Sequence, residues 1–157
     1  SKVDSQAAYE HFGLTLGLPT VLVLGGSLGA QALVHHVLKA SHVLASHQIQ
    51  ILLSTGKTYF EKVVQNRSYV SMPHLKIIPY IDRMDMALAA ATIVVSRAGA
   101  IAMAEIGVAQ KPAIFIPSPH VTADHQMQNV LPWLAQGAAL VIKETEVEQK
   151  LVPTIIG

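Results

Sequence analysis

The sequence has no cysteine and little charge. Because cysteine is absent from all 157 residues, disulfide bonds and thiolate metal sites are excluded. Only 13% of the residues are charged, and 11 Lys and Arg against 10 Asp and Glu leave a formal net charge of +1. So small a charge does not supply the positive field on which non-specific nucleic-acid binding depends. We therefore expect no nucleic-acid partner.

A long apolar run and a leader segment are lacking as well. The longest apolar stretches, Val21–Leu24 and Met86–Val95, fall well short of the ~18 residues that a membrane-spanning helix needs. Ser1–Ser5 has neither the charged nor the apolar region of a signal peptide, and the first residue is not Met. These features predict a cytoplasmic chain without a transmembrane segment, and a chain that is an excised segment of a longer protein.

Apolar residues make up 51% of the chain, which is enough to build a globular domain with a sizeable core. They occur as short runs that alternate with helical patterns. The predicted strands are Val21–Leu24, Ile49–Leu53, Leu75–Ile78, Thr92–Val95, Ala113–Ile116 and Ala138–Ile142. The predicted helices are one that begins after the glycine turn at Ala30, those over 59–64, 85–91, 97–108 and 124–136, and a C-terminal helix from about Thr145.

Apolar strands that alternate with helices predict an α/β fold, a doubly wound parallel sheet of the Rossmann-like kind with helices on both faces. We expect residues 20–157 to form one domain and residues 1–19 to form a lead-in helix and linker. Ligands of such folds bind outside the carboxyl ends of the strands. The loops 25–29, 80–83, 97–100 and 117–124 are therefore candidate binding loops.

The glycine turn after the first strand is the first candidate. Gly25–Gly29 lets backbone N–H groups and the N-terminus of the following helix meet an anion, and the Ser27 hydroxyl is an additional donor. A diphosphate would fit such a turn. The alternative is a tight strand-to-helix turn that binds nothing.

Two other motifs could explain the same residues. The dinucleotide pattern G-x-G-x-x-G is absent, because Gly25, Gly26 and Gly29 have the wrong spacing. The turn does match G-x-S-x-G, the nucleophile elbow of serine hydrolases. Its acid and base could come from Asp82, Asp85 or Asp124 and from His120 or His125. Against this hypothesis, the turn follows the first strand of the chain, so no upstream strand supplies the second oxyanion donor.

Polar residues around the fourth and fifth strands are the second set of candidates. Arg97 precedes a helix N-terminus, and Glu105 is a lone carboxylate that could bind a sugar diol or lie exposed at the edge of its helix. Gln126 and Asn129 share one helix face and suit a hydroxyl-rich ligand. A metal site at His120, Asp124 and His125 lacks a recognisable spacing, so no metal is expected.

Four motifs together resemble one family. They are Gly25–Ala30 (GGSLGA), Tyr80–Met84 (YIDRM), Ser96–Ala100 (SRAGA) with Glu105, and Pro117–His120 (PSPH) followed by Asp124, His125, Gln126 and Asn129. In order and spacing, from about Phe12 to Ile142, they are similar to the MurG family. These enzymes are the UDP-N-acetylglucosamine:undecaprenyl-pyrophosphoryl-muramoyl-pentapeptide N-acetylglucosaminyltransferases of bacterial peptidoglycan synthesis. The resemblance implies a two-domain glycosyltransferase of the GT-B type, of which this chain is the C-terminal half.

The resemblance also implies a role for each site residue. The Ser27 turn would hold the diphosphate, the backbone at Ile81 would read the uracil, and Glu105 would bind the ribose. The implied donor-binding residues are Gly26, Ser27, Tyr80, Ile81, Arg97, Gly99, Ala100, Ile101, Ala102, Met103, Ala104, Glu105, His125, Gln126 and Asn129, the last three at the N-acetylglucosamine. The sequence departs from the family at Leu28, where Gln is common, and at Ala102, where a hydroxyl residue is common.

The reaction that the resemblance implies is an inverting transfer of N-acetylglucosamine from UDP-GlcNAc to the lipid-linked muramoyl-pentapeptide, in cell wall biogenesis, cell shape and cell division. Catalytic base, acceptor and membrane contact would belong to the missing N-terminal half, so no catalytic residue is assigned here and no cofactor is required. The complete enzyme would be peripheral on the inner face of the cell membrane. The isolated chain would bind UDP and UDP-GlcNAc without transfer. Another UDP-sugar enzyme of GT-B architecture is the alternative.

Overall fold

Six strands form one parallel sheet in the computed structural model, which describes residues 4–26, 30–118, 128, 130–133, 137 and 139–157. The order is β3-β2-β1-β4-β5-β6, and every neighbouring pair is parallel. This confirms the predicted doubly wound sheet, with the chain starting at its centre and winding outward to each side. The strands are β1 (Thr20–Leu24), β2 (Gln50–Ser54), β3 (Leu75–Ile78), β4 (Ile93–Ser96), β5 (Ala113–Phe115) and β6 (Ala139–Val141).

Helices connect the strands and cover both faces of the sheet. They are α1 (Ser5–Phe12), α2 (Gln31–Ser46), α3 (Lys57–Val64), α4 (Arg67–Val70), α5 (Met84–Ala90), α6 (Ala100–Ala109) and α7 (Val147–Ile156). A 3-10 turn at Glu144–Glu146 leads into α7. Residues 128 and 130–133 are helical as well, and the rest of the helix predicted over 124–136 lies outside the described residues. No described helix combines the length and the hydrophobicity that crossing a membrane requires.

The core consists of two apolar layers, one on each face of the sheet. Successive residues of a strand point to opposite faces, so Val21 and Val23 join one cluster while Leu22 joins the other. The first layer packs β1 and β2 against α2 and α7, with Leu33 and Leu151 buried in it. The second packs the sheet against α1, α5, α6 and residues 130–133. Burial on both faces explains why the strands are apolar without alternation.

Three of the predicted boundaries shift for identifiable reasons. β2 begins at Gln50 rather than Ile49 because Gln50 pairs with Thr20, and its buried side chain bonds to the backbone of Thr15 at 3.0 and 2.9 Å. Thr92 precedes β4, where its Oγ1 accepts a hydrogen bond from the Thr20 N–H at 2.9 Å. The C-terminal helix starts at Val147, after the 3-10 turn. Helix α4, capped by Asn66, was not predicted.

Helix α1 packs in the second core layer against α5. Helix α1 is capped by Asp4, whose Oδ1 accepts from the Gln6 N–H at 3.1 Å, and it ends at Gly13 in the left-handed conformation. Phe12 is buried in the second core layer beside α5. The division of the chain into a lead-in segment over 1–19 and a domain over 20–157 stays a prediction.

Candidate functional site

The carboxyl ends of β1, β4 and β5 lie side by side at one edge of the sheet. Leu24 pairs with Ser96, and Ser96 pairs with Phe115, so the turns that follow these strands are neighbours. Two of the predicted binding loops, Gly25–Gly26 and Arg97–Gly99, are thereby brought together. In a doubly wound sheet this edge, next to the point where the strand order reverses, is where ligands bind.

The turn after β1 is packed tightly against its neighbours. The Gly25 N–H donates to the Ser54 carbonyl at 2.8 Å. A Cβ on Gly25 would lie 2.5 Å from the Ser54 oxygen and 2.5 Å from Cγ2 of Val34. A Cβ on Gly26 would have ordinary contacts, the nearest at 3.5 Å to the Ser54 Oγ. Gly25 is therefore required by the packing of β1 against β2 and α2. Ser27, Leu28 and Gly29 lie outside the described residues, so the role of Ser27 stays a prediction.

The N-terminus of α6 is open. Gly99 is its N-cap and makes no side-chain capping bond, so the first N–H groups of the helix, from Ala100 to Ala102, have no acceptor inside the helix. A Cβ on Gly99 would meet no heavy atom of the described residues within 4 Å. Ile101 is 80% exposed. These N–H donors and the positive end of the helix dipole form a place where an anion would be stabilised.

Arg97 is buried beside this helix and holds a carboxylate. Its side chain is only 5% exposed, and its Nη1 and Nη2 donate to Glu144 Oε2 and Oε1 at 2.8 and 3.0 Å. Nη1 also lies 3.3 Å from the Ile116 carbonyl oxygen. The resemblance implies a contact between Arg97 and the diphosphate. In the structure the guanidinium instead joins three chain segments, so the phosphate contact stays a prediction.

Glu105 lies one turn further along α6, in a groove between α5 and α6. The groove has a volume of about 1090 Å³ and reaches from Met84 and Asp85, which follow the loop 80–83, past Glu105 to Thr92 and Pro112, which precede β4 and β5. Glu105 is partly exposed rather than buried, and its role at a sugar diol stays a prediction. Among the described residues its carboxylate has no hydrogen-bond or ion-pair partner. It is therefore available to a ligand in the groove.

The loop after β3 presents a tyrosine and several ion pairs. Tyr80 is 54% exposed, and the Lys57 Nζ lies 4.6 Å from the centroid of its ring. Ile81 is partly buried against the second core layer. Lys57, which opens α3 directly after Gly56, is a cation at this edge that the sequence analysis did not single out. Its signal was the turn Ser54–Lys57 at the end of a predicted strand.

The charged residues of the same loop, Asp82 and Arg83, are each paired with a residue of a neighbouring helix. His11 Nε2 lies 3.1 Å from both carboxylate oxygens of Asp82, and this hydrogen bond lowers the pKa of Asp82. Arg83 donates to Asp85 at 3.0 and 2.8 Å, which lowers the pKa of Asp85 and raises that of Arg83. All four side chains remain accessible to solvent, so these pairs orient the loop more than they stabilise the fold.

Comparison with known proteins identifies the family. The sequence pattern described as the glycosyltransferase family 28 C-terminal domain matches residues 20–156. The chain belongs to this family. Its match begins at the first residue of β1 and ends in α7, so it covers the whole sheet.

Curated relatives of this family 28 domain carry one name. A protein of Amoebophilus asiaticus is 59% identical over 147 residues, which are 94% of this chain and 40% of the relative. A protein of Flavobacterium psychrophilum is 38% identical over 143 residues, 91% of this chain and 38% of the relative. Both are named UDP-N-acetylglucosamine--N-acetylmuramyl-(pentapeptide) pyrophosphoryl-undecaprenol N-acetylglucosamine transferase. The chain spans about 40% of the length of these relatives.

Solved structures agree with this assignment. MurG of Acinetobacter baumannii superposes with a TM-score of 0.74 at 28% identity, over 96% of this chain and 44% of the other. The C-terminal CMP-Kdo binding domain of WaaA from the same organism gives a TM-score of 0.66 at 11% identity, over 97% of this chain and 86% of the other. The second likeness shows the fold alone. The predicted resemblance to the MurG family and the GT-B type of fold are confirmed.

The structure describes only part of the implied site of the family 28 domain. Gly26 and the start of α6 lie at neighbouring strand ends, and Glu105 shares a groove with the residues that follow Ile81. Met103 is 4% exposed and packs in the core, so only its backbone could reach a ligand, whereas Ala104 lines the groove. Ser27, His125, Gln126 and Asn129 lie outside the described residues, as do His120 and Asp124. The described residues contain no group of three or more potential metal ligands.

Proposed function

We propose that this domain binds the UDP-GlcNAc donor of a glycosyltransferase, and that the complete protein transfers N-acetylglucosamine to a lipid-linked muramyl-pentapeptide. The open N-terminus of α6, with Glu105 one turn along the same helix, carries the proposal. Among the described residues, the first N–H groups of α6 have no acceptor inside the helix and can face a diphosphate, and the Glu105 carboxylate has no partner and can face the neighbouring ribose. The names of the curated relatives support the choice of donor and acceptor.

The proposed chemistry is an inverting displacement at the anomeric carbon. A hydroxyl of the acceptor sugar forms the new bond to that carbon, the bond to the diphosphate oxygen breaks, and UDP leaves. Negative charge therefore grows on the diphosphate as the bond breaks. Backbone donors at Ala100–Ala102 and the positive end of the α6 dipole would stabilise this charge without reorganising. These donors survive any substitution except proline, so Ala102 in place of a hydroxyl residue removes one side-chain donor only.

The contacts proposed for the uracil and the ribose depend on the loop 80–83 and on the groove that holds Glu105. The loop 80–83 leads into Met84 and Asp85, which line the groove that holds Glu105, so a uracil bound at the Ile81 backbone would place its ribose near this carboxylate. Exposed Tyr80 would border the base. We assign the acceptor contacts, the catalytic base and the attachment to the membrane surface to the part of the complete protein that lies outside this chain. The isolated domain would therefore bind the donor without transferring its sugar.

The test is calorimetric titration of the 157-residue chain with UDP and UDP-GlcNAc. We expect both to bind, and we expect Glu105→Ala to weaken UDP by at least about tenfold, because a hydrogen bond to a charged group contributes ~1.5–3 kcal/mol. In this variant UDP and 2′-deoxy-UDP should bind alike, since the ribose contact is gone. Glu148→Ala is the matched control, because Glu148 is an exposed glutamate on α7 paired only with Lys39 among the described residues.

Three results would contradict the proposal. A flat titration with folded wild-type protein would exclude donor binding. Tighter binding of a different UDP-sugar would indicate another UDP-sugar enzyme of the same architecture. Covalent labelling of Ser27 by a fluorophosphonate would support the nucleophile elbow. Of its candidate acids, Asp85 is already paired with Arg83.

A further inference from the structure

We propose that Glu144 is a positioning residue, which holds Arg97 and thereby keeps the turn before α6 in the geometry that binds the donor diphosphate. The inference rests on the proposed function for the identity of the ligand. Its structural part, the restraint of the turn by Glu144, rests on the described contacts alone. Neither the family match nor the names of the relatives assign a role to Glu144.

The pair is bidentate and shielded from solvent. Two nitrogens of Arg97 face two oxygens of Glu144 at 2.8 and 3.0 Å, and the two side chains are 5% and 16% exposed. Parallel paired contacts of this kind fix the relative orientation of the two groups as well as their distance. The pair therefore differs from the exposed Lys39–Glu148 pair, whose side chains are 55% and 65% exposed.

The pair joins three chain segments at the ligand-binding edge of the sheet. Arg97 follows β4, and Glu144 opens the 3-10 turn after β6. The third segment follows β5, where the Ile116 carbonyl oxygen lies 3.3 Å from Arg97 Nη1 and the Ile116 N–H donates to the Ser96 carbonyl at 2.9 Å. The Ser96 hydroxyl donates to the Arg97 carbonyl at 2.7 Å. The turn that sets the direction of the α6 N-terminus is thus restrained at both its backbone and its side chain.

Charge favours a positioning role over a direct phosphate contact. The two N–H groups that Arg97 gives to Glu144 are not available to a phosphate while the pair is intact, and its Nη1 also faces the Ile116 carbonyl. If Arg97 left Glu144, a carboxylate with 16% of its side chain exposed would lie unpaired near a diphosphate of the same sign. With the pair intact, the two charges cancel and the backbone donors of α6 face the anion. The Arg97–Glu144 pair therefore affects the diphosphate by holding the turn before α6.

The two roles predict opposite effects of Glu144→Gln on UDP affinity. If Arg97 bound the phosphate directly, this variant would free the guanidinium and UDP would bind as tightly as before or more tightly. If Glu144 positions the turn, the loss of one charge leaves a buried guanidinium without its counter-ion, and the turn moves to hydrate it. We then expect UDP to bind about tenfold more weakly, the equivalent of one lost charged hydrogen bond.

The experiment measures the 157-residue chain and three variants, Glu144→Gln, Glu144→Asp and the control Glu148→Gln. Affinities for UDP and for uridine are determined by calorimetry well below each melting temperature. A positioning role lowers the ratio of UDP to uridine affinity in Glu144→Gln, with a smaller loss in Glu144→Asp, which keeps the charge, and none in Glu148→Gln. A purely structural role lowers the melting temperature and leaves this ratio unchanged, which would overturn the proposal.

Amide hydrogen exchange supplies a readout that needs no ligand. Glu144→Gln should exchange faster than wild type at Arg97–Ala100, while the amides of β1 and β2 are unchanged. If wild-type protein binds no UDP, the proposed function fails, and the exchange rates alone decide whether Glu144 restrains the turn. Unchanged exchange at Arg97–Ala100 would overturn that restraint. Should Glu144→Gln fail to fold, Glu144→Asp serves in both measurements, with unchanged UDP affinity and exchange counting against the proposal.

Discussion

The two strand ends that meet at the candidate site build their turns in different ways. The turn after β1 is made tight by backbone, with Gly25 pressed between the Ser54 carbonyl and Val34. The turn after β4 is held by a side chain, with Arg97 reaching Glu144, while a Cβ on Gly99 beside it would meet no described atom within 4 Å. Glycine is thus needed for the fold in the first turn and leaves room in the second. The same residue type in two similar motifs need not serve the same purpose.

This difference locates the accessible donors. At Gly25 the N–H is already bonded to Ser54 at 2.8 Å, so it is not available to a ligand. At the start of α6 the N–H groups have no acceptor inside the helix, and the N-cap residue, Gly99, has no side chain to cap them. The N–H groups at the start of α6 are therefore the donors that we propose for the diphosphate, whereas the Gly25 N–H serves the packing of the first turn.

The largest expected effect is that of Gly25→Ala. The new Cβ would lie 2.5 Å from a backbone oxygen in the middle of the sheet and 2.5 Å from Val34, so β1 or α2 must shift. Overpacking of this kind costs ~3 kcal/mol of unfolding free energy. Urea denaturation measures it, and Gly26→Ala is the matched control, because its nearest contact would be an ordinary 3.5 Å. Equal stability of the two variants would show that the first turn is no tighter at Gly25 than at Gly26.

A smaller effect of a different kind is expected at the second turn. Gly99→Ala places a methyl group where no described atom lies within 4 Å, at a φ of −77° that alanine adopts readily. Unfolding free energy should change by less than about 0.5 kcal/mol. Alanine lowers the conformational entropy of the unfolded chain, and this stabilisation offsets its poorer capping of the helix. The methyl group would occupy space in front of the α6 donors. We therefore expect UDP affinity to fall about threefold, a loss of under 1 kcal/mol.

Calorimetry of Gly99→Ala together with its urea denaturation separates these two expectations. A variant that loses stability would mean that Gly99 serves the fold as Gly25 does, and the contrast between the turns would disappear. A variant with full stability and unchanged UDP affinity would mean that the diphosphate does not approach the N-terminus of α6 at this point.

Most of the fold could be predicted from the sequence, because its signals are local. Short apolar runs bounded by turn residues, such as Val21–Leu24, indicate strands buried on both faces, and Gly25–Gly29 marks the start of the next helix. The order of the strands was not predicted, since it depends on pairing between residues far apart in the chain. Helix α4 was missed because four residues show no periodicity, although Asn66, which caps it, is a typical first signal of a helix.

The site was only partly predictable for the same reason. Glu105 and the start of α6 are close in sequence, so one motif reveals both. Arg97 and Glu144 are 47 residues apart, and Glu144 looks like an ordinary acidic residue at a helix start. Nothing in the sequence indicates that the Arg97 guanidinium donates two hydrogen bonds to a carboxylate. A motif shows which side chains are near a turn, but not which of them are already bonded.

The smallest effect is expected at the exposed His11–Asp82 pair of the loop 80–83, which follows β3. This pair extends the comparison to a side-chain contact in water. The His11 hydrogen bond lowers the pKa of Asp82 below its unfolded value of 3.8. Asp82 therefore stabilises the folded state above that value, and the contribution is lost as the pH falls through the folded pKa. Asp82→Asn should lose less stability than wild type between pH 7 and pH 3 in urea denaturation, and the difference should shrink in high salt because both groups are exposed. Identical losses in the two proteins would mean that this pair, unlike Arg97–Glu144, restrains nothing, and that the loop 80–83 is held by the packing of Ile81 instead.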